Sequence, residues 1–258
     1  MELSALMVEV EAAFTRTSAG LLRWDDPHPP PDRIVADEEY ERVTNPGKWR
    51  IVGARVDAWI DVLVDLGLAT VEHGADLRWV ESPTSAFTRA DLVRPTAEGA
   101  VPLVVCRSRI EDVPDAGVTL GVGDPAVRIA FIPDCGCDAC DSGSQNEIDH
   151  LDKYIRPVVT GEFRHLRRGR QSITVLEDGR MQGSNIRPAE SNARPDGIGG
   201  GWFRYQPTSR PVEPFVASTP RPRKRSRDRM AEILADPSGW DEVSGASWLT
   251  GPHGDMRH

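Results

Sequence analysis

One predicted helix, residues 46–66, constrains the fold of this chain more than any other segment. Asn45 suits an N-cap, Pro46 suits the first helical position, and Gly67 suits the position just past the helix end. Apolar residues between these signals recur with helical spacing and form one stripe: Trp49, Val52, Val56, Trp59, Ile60 and Leu63. Gly53 lies inside the helix at a cost of about 1 kcal/mol relative to Ala, which indicates that another group approaches the backbone there. The segment therefore predicts an amphipathic helix with one buried face.

Beyond Gly67 the hydrophobic period changes from that of a helix to that of a strand. Short β-type runs separated by Gly, Pro or Asp occur at Ala69–Glu72, Leu77–Val80, Val101–Arg107, Val118–Val122 and Val127–Ile132. The later segment EFRHLRRGRQSITVLEDGRMQGS contains three strand-like runs, the last two joined by an Asp178-Gly179 turn. It predicts an antiparallel meander.

These elements predict an α+β fold with one main domain. The 258 residues are enough for a large domain with its own core. We expect this domain to span residues 1–206, with helices at 2–18, 46–66 and 145–159 packed on an antiparallel or mixed sheet. Residues 207–258 are rich in Pro, Ser and Arg, and they predict a linker and a flexible tail.

Charge is unevenly distributed along the chain, whose net charge is −9. Acidic residues outnumber basic ones in residues 1–150, and the reverse holds in residues 151–258. An acidic surface repels phosphates, so nucleic-acid binding by the first half is disfavoured. Binding of nucleic acid or an acidic partner is expected only through the basic run at residues 221–229, for which a solvated linker is the alternative.

The N-terminal segment helps to predict the cellular compartment of the protein. It carries Glu2, Glu9 and Glu11 instead of a basic region, so it does not read as a signal peptide. No apolar run reaches the roughly 18 residues that a membrane helix needs. We expect a cytoplasmic protein without membrane association, in which free thiols stay reduced.

Cysteine usage points to one candidate site. Three of the four cysteines, Cys135, Cys137 and Cys140, form a C-x-C-x-x-C pattern within the stretch PDCGCDACDSGS. The preceding strand stops at Pro133, and a helix follows, for which Ser144 and Glu147 predict a capping box. The cysteines therefore occupy a loop before a helix N-terminus, where ligands commonly bind.

This loop predicts a zinc site with Cys135, Cys137 and Cys140 as ligands. Gly136 permits a sharp turn, so that neighbouring sulfur atoms converge. Zinc needs a fourth ligand, or a water molecule in an open site. The candidates for that ligand are Cys106, His150 and Asp138, followed by His165, Asp134 and Asp141. His150 is expected on the solvent side of its helix unless the loop folds back over it.

The charges around the loop favour a metal over a reactive thiol. Acidic residues surround the cysteines, and the segment from Asp134 to Asp149 contains no Lys or Arg. Nearby anions raise the pKa of a thiol, whereas a bound dication deprotonates thiols and is favoured by acidic neighbours. A tight turn with packed cysteines, and a disulfide or redox site, remain the alternatives.

The function hypotheses follow from this loop and from the basic run. The leading one is a zinc-binding protein with a structural or interaction role. One alternative is an enzyme whose site lies at the strand–loop–helix junction beside Cys137 and Asp138, and another is an adaptor that works through the Arg-rich tail. The chain has no P-loop, G-x-S-x-G elbow or H-E-x-x-H pair, so no reaction or substrate is predicted.

Three stretches together resemble a known family: VTNPGKWRIVGARVDAWIDVLVDLGLA, PDCGCDACDSGS and GEFRHLRRG. They are similar to actinobacterial proteins that share a domain of unknown function, and the resemblance is most specific at the cysteine loop. It spans roughly residues 5–205, and the basic tail lies outside it. The resemblance implies an actinobacterial origin and a cytosolic, single-domain body, and it carries no activity, substrate or catalytic residue.

Overall fold

The period-two segments of the first half form a five-stranded antiparallel sheet. The computed structural model describes residues 1–29, 34–83, 86–179, 181–186 and 223–250. The five strands are β1 (Ala69–His73), β2 (Phe87–Pro95), β3 (Leu103–Ile110), β4 (Val113–Val122) and β5 (Val127–Ile132). They lie side by side in chain order, each antiparallel to the next.

The strand pattern differs from the predicted one at two places. β2 was not predicted, because its buried residues Leu92 and Val93 are adjacent and the flanking positions are mostly polar. The run Leu77–Val80 forms a single bridge, from Trp79 to Ala126, instead of a strand. Trp79 packs on the outer face of the sheet, and this contact explains why the run is apolar.

Helices α2 (Arg50–Asp65) and α3 (Ser144–Thr160) pack on the inner face of the sheet, and α1 (Leu3–Thr17) packs on α2. A 3-10 turn over Pro46–Trp49 leads into α2. Trp59 and Leu63 of α2 are fully buried and belong to one core with alternate residues of the strands, such as Val118. Each such side chain contributes about 1.5 to 3 kcal/mol through burial. The structure therefore confirms an α+β fold with antiparallel sheets, packed helices and one main domain.

A buried ion pair joins α2 to α3 inside this core. Arg55 and Asp152 are each 1% exposed. The Arg55 guanidinium donates to both oxygens of Asp152, from Nε over 3.1 Å and from Nη2 over 2.7 Å. The Trp59 indole N–H donates to Asp152 over 2.8 Å. Burial alone would lower the pKa of Arg55, but Asp152 and Glu11 outweigh it and hold the pKa above its usual value.

An arginine side chain from the sheet passes beside the glycine inside α2. The Arg107 side chain crosses Gly53, and its guanidinium Nη2 donates to the Gly53 carbonyl over 3.2 Å. The same nitrogen lies 2.6 Å from a carboxylate oxygen of Asp57. The close approach that the sequence predicted at Gly53 is therefore confirmed.

The predicted meander forms a second antiparallel sheet. Its strands are β6 (Arg164–Arg168), β7 (Gln171–Val175), β8 (Met181–Ser184) and β9 (Asp241–Ser244), in the order β8-β7-β6-β9. Helix α4 (Arg223–Ala235) packs on this sheet, where Met230 and Ile233 form a cluster with Leu166 and Ile173. Among the helices of the described residues, none is long and apolar enough to cross a membrane.

Part of the predicted tail belongs to the folded body. β9 pairs with β6, and the fully buried Trp248 donates its backbone N–H to the Val159 carbonyl over 2.9 Å. The boundary predicted at residue 206 therefore does not mark the end of the packed structure. Residues 207–222 and 251–258 of the predicted linker and tail lie outside the described residues, while most of the basic run lies in α4.

Candidate metal centre

The cysteine loop, residues 134–143, connects the end of β5 to the start of α3. Gly136 turns the chain with a φ of +77°, a value that L side chains rarely adopt. A short 3-10 helix over Asp138–Cys140 follows, and it brings Cys140 back towards Cys137. These local features place three sulfur atoms on one side of the loop.

The three sulfur atoms are close enough to share one metal ion. One ligand atom from each of Cys135, Cys137 and Cys140 lies within 4.8 Å of the others. The Sγ atoms of Cys135 and Cys137 are 3.2 Å apart. Zinc–sulfur bonds of about 2.3 Å in a tetrahedron imply sulfur–sulfur distances of roughly 3.8 Å, so small adjustments suffice. Cys137 is buried, whereas Cys135 and Cys140 are exposed.

Polar contacts set different proton affinities within the cluster. Burial acts to raise the pKa of Cys137, but hydrogen bonds from Cys135, Cys140 and the backbone N–H groups of Cys140 and Ala139 outweigh it, so the pKa is lowered. Hydrogen bonds to Cys135 and Cys137 raise the pKa of Cys140 to about 12. The backbone N–H groups therefore face a sulfur atom that they stabilise as a thiolate.

Asp138 fixes one side of the cysteine loop to a distant segment. Its carboxylate accepts hydrogen bonds from Arg42 Nε over 2.6 Å, from the Thr44 hydroxyl over 2.6 Å and from the Thr44 backbone N–H over 2.7 Å. Its own backbone N–H donates to the Arg42 carbonyl over 2.8 Å. Burial opposes the ionised form, but these donors outweigh it and lower the pKa of Asp138 to about 2.

Asp141 fixes the other side of the loop. Its carboxylate accepts the Trp24 indole N–H over 2.7 Å and the backbone N–H of Gly143 over 3.0 Å, and it pairs with the Lys48 ammonium. The Lys48 ammonium lies over the rings of Trp24 and Trp49, 5.4 and 5.1 Å from their centroids. Asp141 is 2% exposed, so its charge is compensated inside the protein.

These contacts change the electrostatic basis of the prediction. The sequence segment around the cysteines contains no basic residue, yet Arg42 and Lys48 reach it from the N-terminal connector, residues 18–49. Two of the surrounding carboxylates are thereby neutralised. The loop therefore attracts a cation less strongly than the local sequence implies, and a metal site is supported mainly by the convergence of the three sulfur atoms.

The predicted capping box at the start of α3 is wrong. Gly143 is the N-cap residue and Ser144 is the first residue of the helix. The Ser144 hydroxyl instead exchanges hydrogen bonds with the backbone of Trp24, donating to its carbonyl over 3.0 Å and accepting its N–H over 3.1 Å. Glu147 accepts a hydrogen bond from the Ser142 hydroxyl over 3.0 Å, and burial raises its pKa to about 7. Tertiary contact with the connector has replaced the local cap.

None of the three main candidates for a fourth ligand joins the sulfur cluster among the described residues. Cys106 is fully buried on the outer face of the sheet with Leu92 and Val104, and burial raises its pKa to about 12. Asp138 is engaged by Arg42 and Thr44. His150 is half-buried beside Tyr154, with ring centroids 5.4 Å apart, and burial lowers its pKa.

The further candidates occupy other positions. His165 lies on β6, where its Nδ1 is 2.9 Å from the Thr174 hydroxyl. Asp141 is engaged by Trp24 and Lys48, and Asp134 is exposed. Within the described part of the chain, the cluster therefore offers three candidate ligands.

Sequence reasoning missed the residues that hold the cysteine loop in place: Trp24, Arg42, Thr44 and Lys48. They lie in or beside stretches that read as connector, and their partners are 93 to 117 positions away along the chain. Isolated polar side chains have no periodicity, so no sequence pattern marks them. One sequence signal did indicate that the connector packs on the body. The aromatic residues Trp24 and Trp49 lie on either side of its proline-rich segment.

Comparison with known proteins gives a family and no activity. No curated protein and no solved structure matches this chain. One family model matches residues 10–243, which extends past the predicted limit at residue 205 and reaches into β9. Since this match covers more than half of the chain, the protein belongs to the family of unknown function DUF6226.

Proposed function

We propose that the protein binds one zinc ion through Cys135, Cys137 and Cys140, and that the ion has a structural or interaction role. The observation that carries the proposal is the convergence of three sulfur ligand atoms within 4.8 Å. Thiolates select zinc, copper(I) or iron–sulfur clusters over hard cations. Iron–sulfur clusters generally require four protein ligands, so a set of three sulfurs fits a single zinc ion with one further ligand.

The surroundings of the cysteine loop support a structural role. Asp138 and Asp141 flank Cys140 and already attach the loop to the N-terminal connector. An ion held by the three sulfurs would close the loop between these two attachments. Its binding free energy would then add to the stability of the contact between connector and body. The thiols must be reduced for this role, which fits a reducing compartment such as the cytoplasm.

The exposure of two ligands favours a second candidate. Cys135 and Cys140 are exposed, so the cluster is accessible to a fourth ligand from outside the loop. A partner's side chain there would give an interaction site, and a water molecule there would give a catalytic zinc at the strand–loop–helix junction. Asp138 would not be the catalytic base in that case, because Arg42 and Thr44 occupy its carboxylate.

The test is elemental analysis of protein purified under reducing conditions without added metal. We expect near-stoichiometric zinc in the wild-type protein and its loss in the Cys137→Ser variant. Cys106→Ala is the matched control, because it also removes one buried thiol but leaves the cluster intact. Wild-type protein without metal, or a Cys137→Ser variant that keeps its zinc, would refute the proposal.

Thermal unfolding separates the structural from the catalytic role. A structural ion should make the melting temperature fall by several degrees on removal of the metal by a chelator, because the cysteine loop then loses the link between its two attachments to the connector. A catalytic ion held at an open position should be removable with little change in melting temperature. The Cys137→Ser variant should show no response to the chelator in either case.

A further inference from the structure

A second site lies away from the cysteine loop, at the junction of the two sheets. A cavity of about 600 Å³ opens between the hairpin of β6 and β7 and the residues around Val80 and Val127. Its volume falls in the range of small-molecule sites, which is about 300 to 1,000 Å³. It shares no residue with the cysteine loop, so its role is independent of the zinc proposal.

The cavity is positively charged although the chain as a whole is acidic. Arg128, Arg167 and Arg170 line it, and Glu81 is the acidic residue of its described lining. Glu81 pairs with Arg167 over 2.6 Å. Arg128 and Arg170 have no ion-pair partner among the described residues, and both are exposed to solvent. Two arginines without an ion-pair partner in the described part of the chain therefore line one cavity in a protein of net charge −9.

A buried histidine adds a polar group to the cavity wall. His165 lines the cavity and is 6% exposed. Its Nδ1 is held by the Thr174 hydroxyl at 2.9 Å, which fixes the ring and leaves Nε2 without a partner in the described part of the structure. Burial and the neighbouring Arg167 lower its pKa, as expected beside a positive site. The ring is therefore rigid and available to a ligand.

Apart from Val80, Val127 and Gly169, the rest of the described lining is polar. Gln171, Ser172, Ser184 and Asn185 offer amide and hydroxyl groups. The described lining contains no Phe, Tyr or Trp. Nucleobases are usually held by stacking on aromatic side chains, whereas hydroxyl groups need hydrogen-bond partners of the kind present here. The lining suits a polyhydroxy compound better than a nucleotide.

We propose that this cavity binds a phosphorylated polyhydroxy compound of the sugar phosphate class. Arg128 and Arg170 supply two positive charges, and a phosphate monoester carries about −1.5 to −2 charges at neutral pH. Arginine is well suited to phosphate because its planar guanidinium donates two parallel hydrogen bonds. His165 and the polar lining face the hydroxyl groups.

Calorimetric titration of the full chain at low salt tests this proposal. The probes are glucose 6-phosphate, ribose 5-phosphate and glycerol 3-phosphate, with glucose, inorganic phosphate and AMP for comparison. At least one sugar phosphate should bind saturably and more tightly than glucose, inorganic phosphate or AMP. In the Arg128→Gln/Arg170→Gln double variant its affinity should fall by at least about tenfold, since hydrogen bonds to charged groups are the strong ones.

Two controls make the result decisive. Arg16→Gln removes one positive charge from an exposed position on α1 and should leave the affinity unchanged. The melting temperature of the double variant should match that of the wild-type protein, because both arginines are exposed and unpaired within the described residues. The proposal is overturned by no saturable binding of any of the three phosphates, by equal binding in the double variant, or by tighter binding of AMP.

Discussion

The main core and the cysteine loop are stabilised in different ways. In the core, Trp59 and Leu63 are fully buried among apolar side chains from α1, α3 and the sheet, and the contacts repeat along each element. In the cysteine loop, Asp138 and Asp141 make most of the contacts. These contacts are individual polar bonds, and most of them are made to residues of the distant connector. A repeated apolar contact can lose one member at moderate cost, whereas the loop depends on a few polar bonds. The two regions should therefore respond separately to substitution.

The largest effect on stability is expected at the buried ion pair of the core, Arg55 and Asp152. Asp152→Ala would leave the Arg55 guanidinium buried, with Glu11 as its remaining acidic partner at 2.7 Å. We expect a loss of about 3 to 5 kcal/mol in the free energy of unfolding, because Glu11 is largely exposed and compensates the buried guanidinium only in part. Urea denaturation measures this loss. Asp149→Ala, on an exposed position of the same helix, should cost less than about 0.5 kcal/mol.

This prediction also separates the two regions. The folded fraction of Asp152→Ala should retain the zinc content of the wild-type protein. The Asp152 carboxylate bonds to Arg55, Trp59 and Arg156 and, among the described residues, has no bond to the cysteine loop. Zinc lost in proportion to stability would show that core and loop are one cooperative unit.

A smaller effect is expected where the connector crosses the loop. A Cβ atom at Gly143, whose φ is +86°, would lie 2.6 Å from the backbone nitrogen of Asp26. Gly143→Ala therefore combines backbone strain with displacement of the connector, at a cost of about 2 to 4 kcal/mol. Gly20→Ala is the matched control, because Gly20 has a φ of +80° and no atom within 4 Å of its Cβ position. It should cost about 1 kcal/mol, from strain alone.

The difference between these two glycine variants measures the connector contact. Gly143→Ala should also weaken zinc binding, whereas Gly20→Ala should not. Equal losses in the two variants would mean that the connector moves aside freely and does not hold the loop.

The same contrast explains which features the sequence could predict. The apolar stripe of α2 and the strand-like runs of β6 and β7 are local patterns, and the structure has both. The convergence of the cysteines follows from short-range geometry at Gly136. The attachment of the loop does not, because Trp24 and Asp141 are separated by 117 positions and nothing in either neighbourhood specifies the other. Ser144 shows the consequence, since a residue with good local capping chemistry is used for a tertiary contact.

A third prediction concerns the pH dependence of stability and the buried carboxyl group of Glu147, in the first turn of α3 beside the cysteine loop. Burial raises the pKa of Glu147 to about 7 from the usual 4.5, so the folded state binds this proton more tightly than the unfolded state. Its contribution to stability is therefore present below pH 4.5 and is lost as the pH rises through about 7. Glu147→Gln should flatten this decline and stabilise the protein at pH 8 by on the order of 2 kcal/mol.

Urea denaturation between pH 4 and pH 8 measures the effect in metal-free protein. Glu162→Gln removes the same charge from an exposed position and serves as the comparison. A Glu147→Gln variant with the same pH dependence as the wild-type protein would show that solvent reaches this carboxyl group in solution.

The smallest effect is expected in the core, at the one helical glycine of α2. A Cβ atom at Gly53 would lie 3.6 Å from Arg107 Nε and from the Asp115 carbonyl oxygen, which are ordinary contact distances. Gly53→Ala should therefore gain most of the helix propensity of alanine, a stabilisation of about 0.5 to 1 kcal/mol, without displacing the arginine. Thermal unfolding should show a slightly higher melting temperature and unchanged zinc content. A destabilised variant would mean that the hydrogen bond from Arg107 to the Gly53 carbonyl is lost when a side chain is placed beside it. The core would then contain a polar contact as sensitive to substitution as those of the cysteine loop.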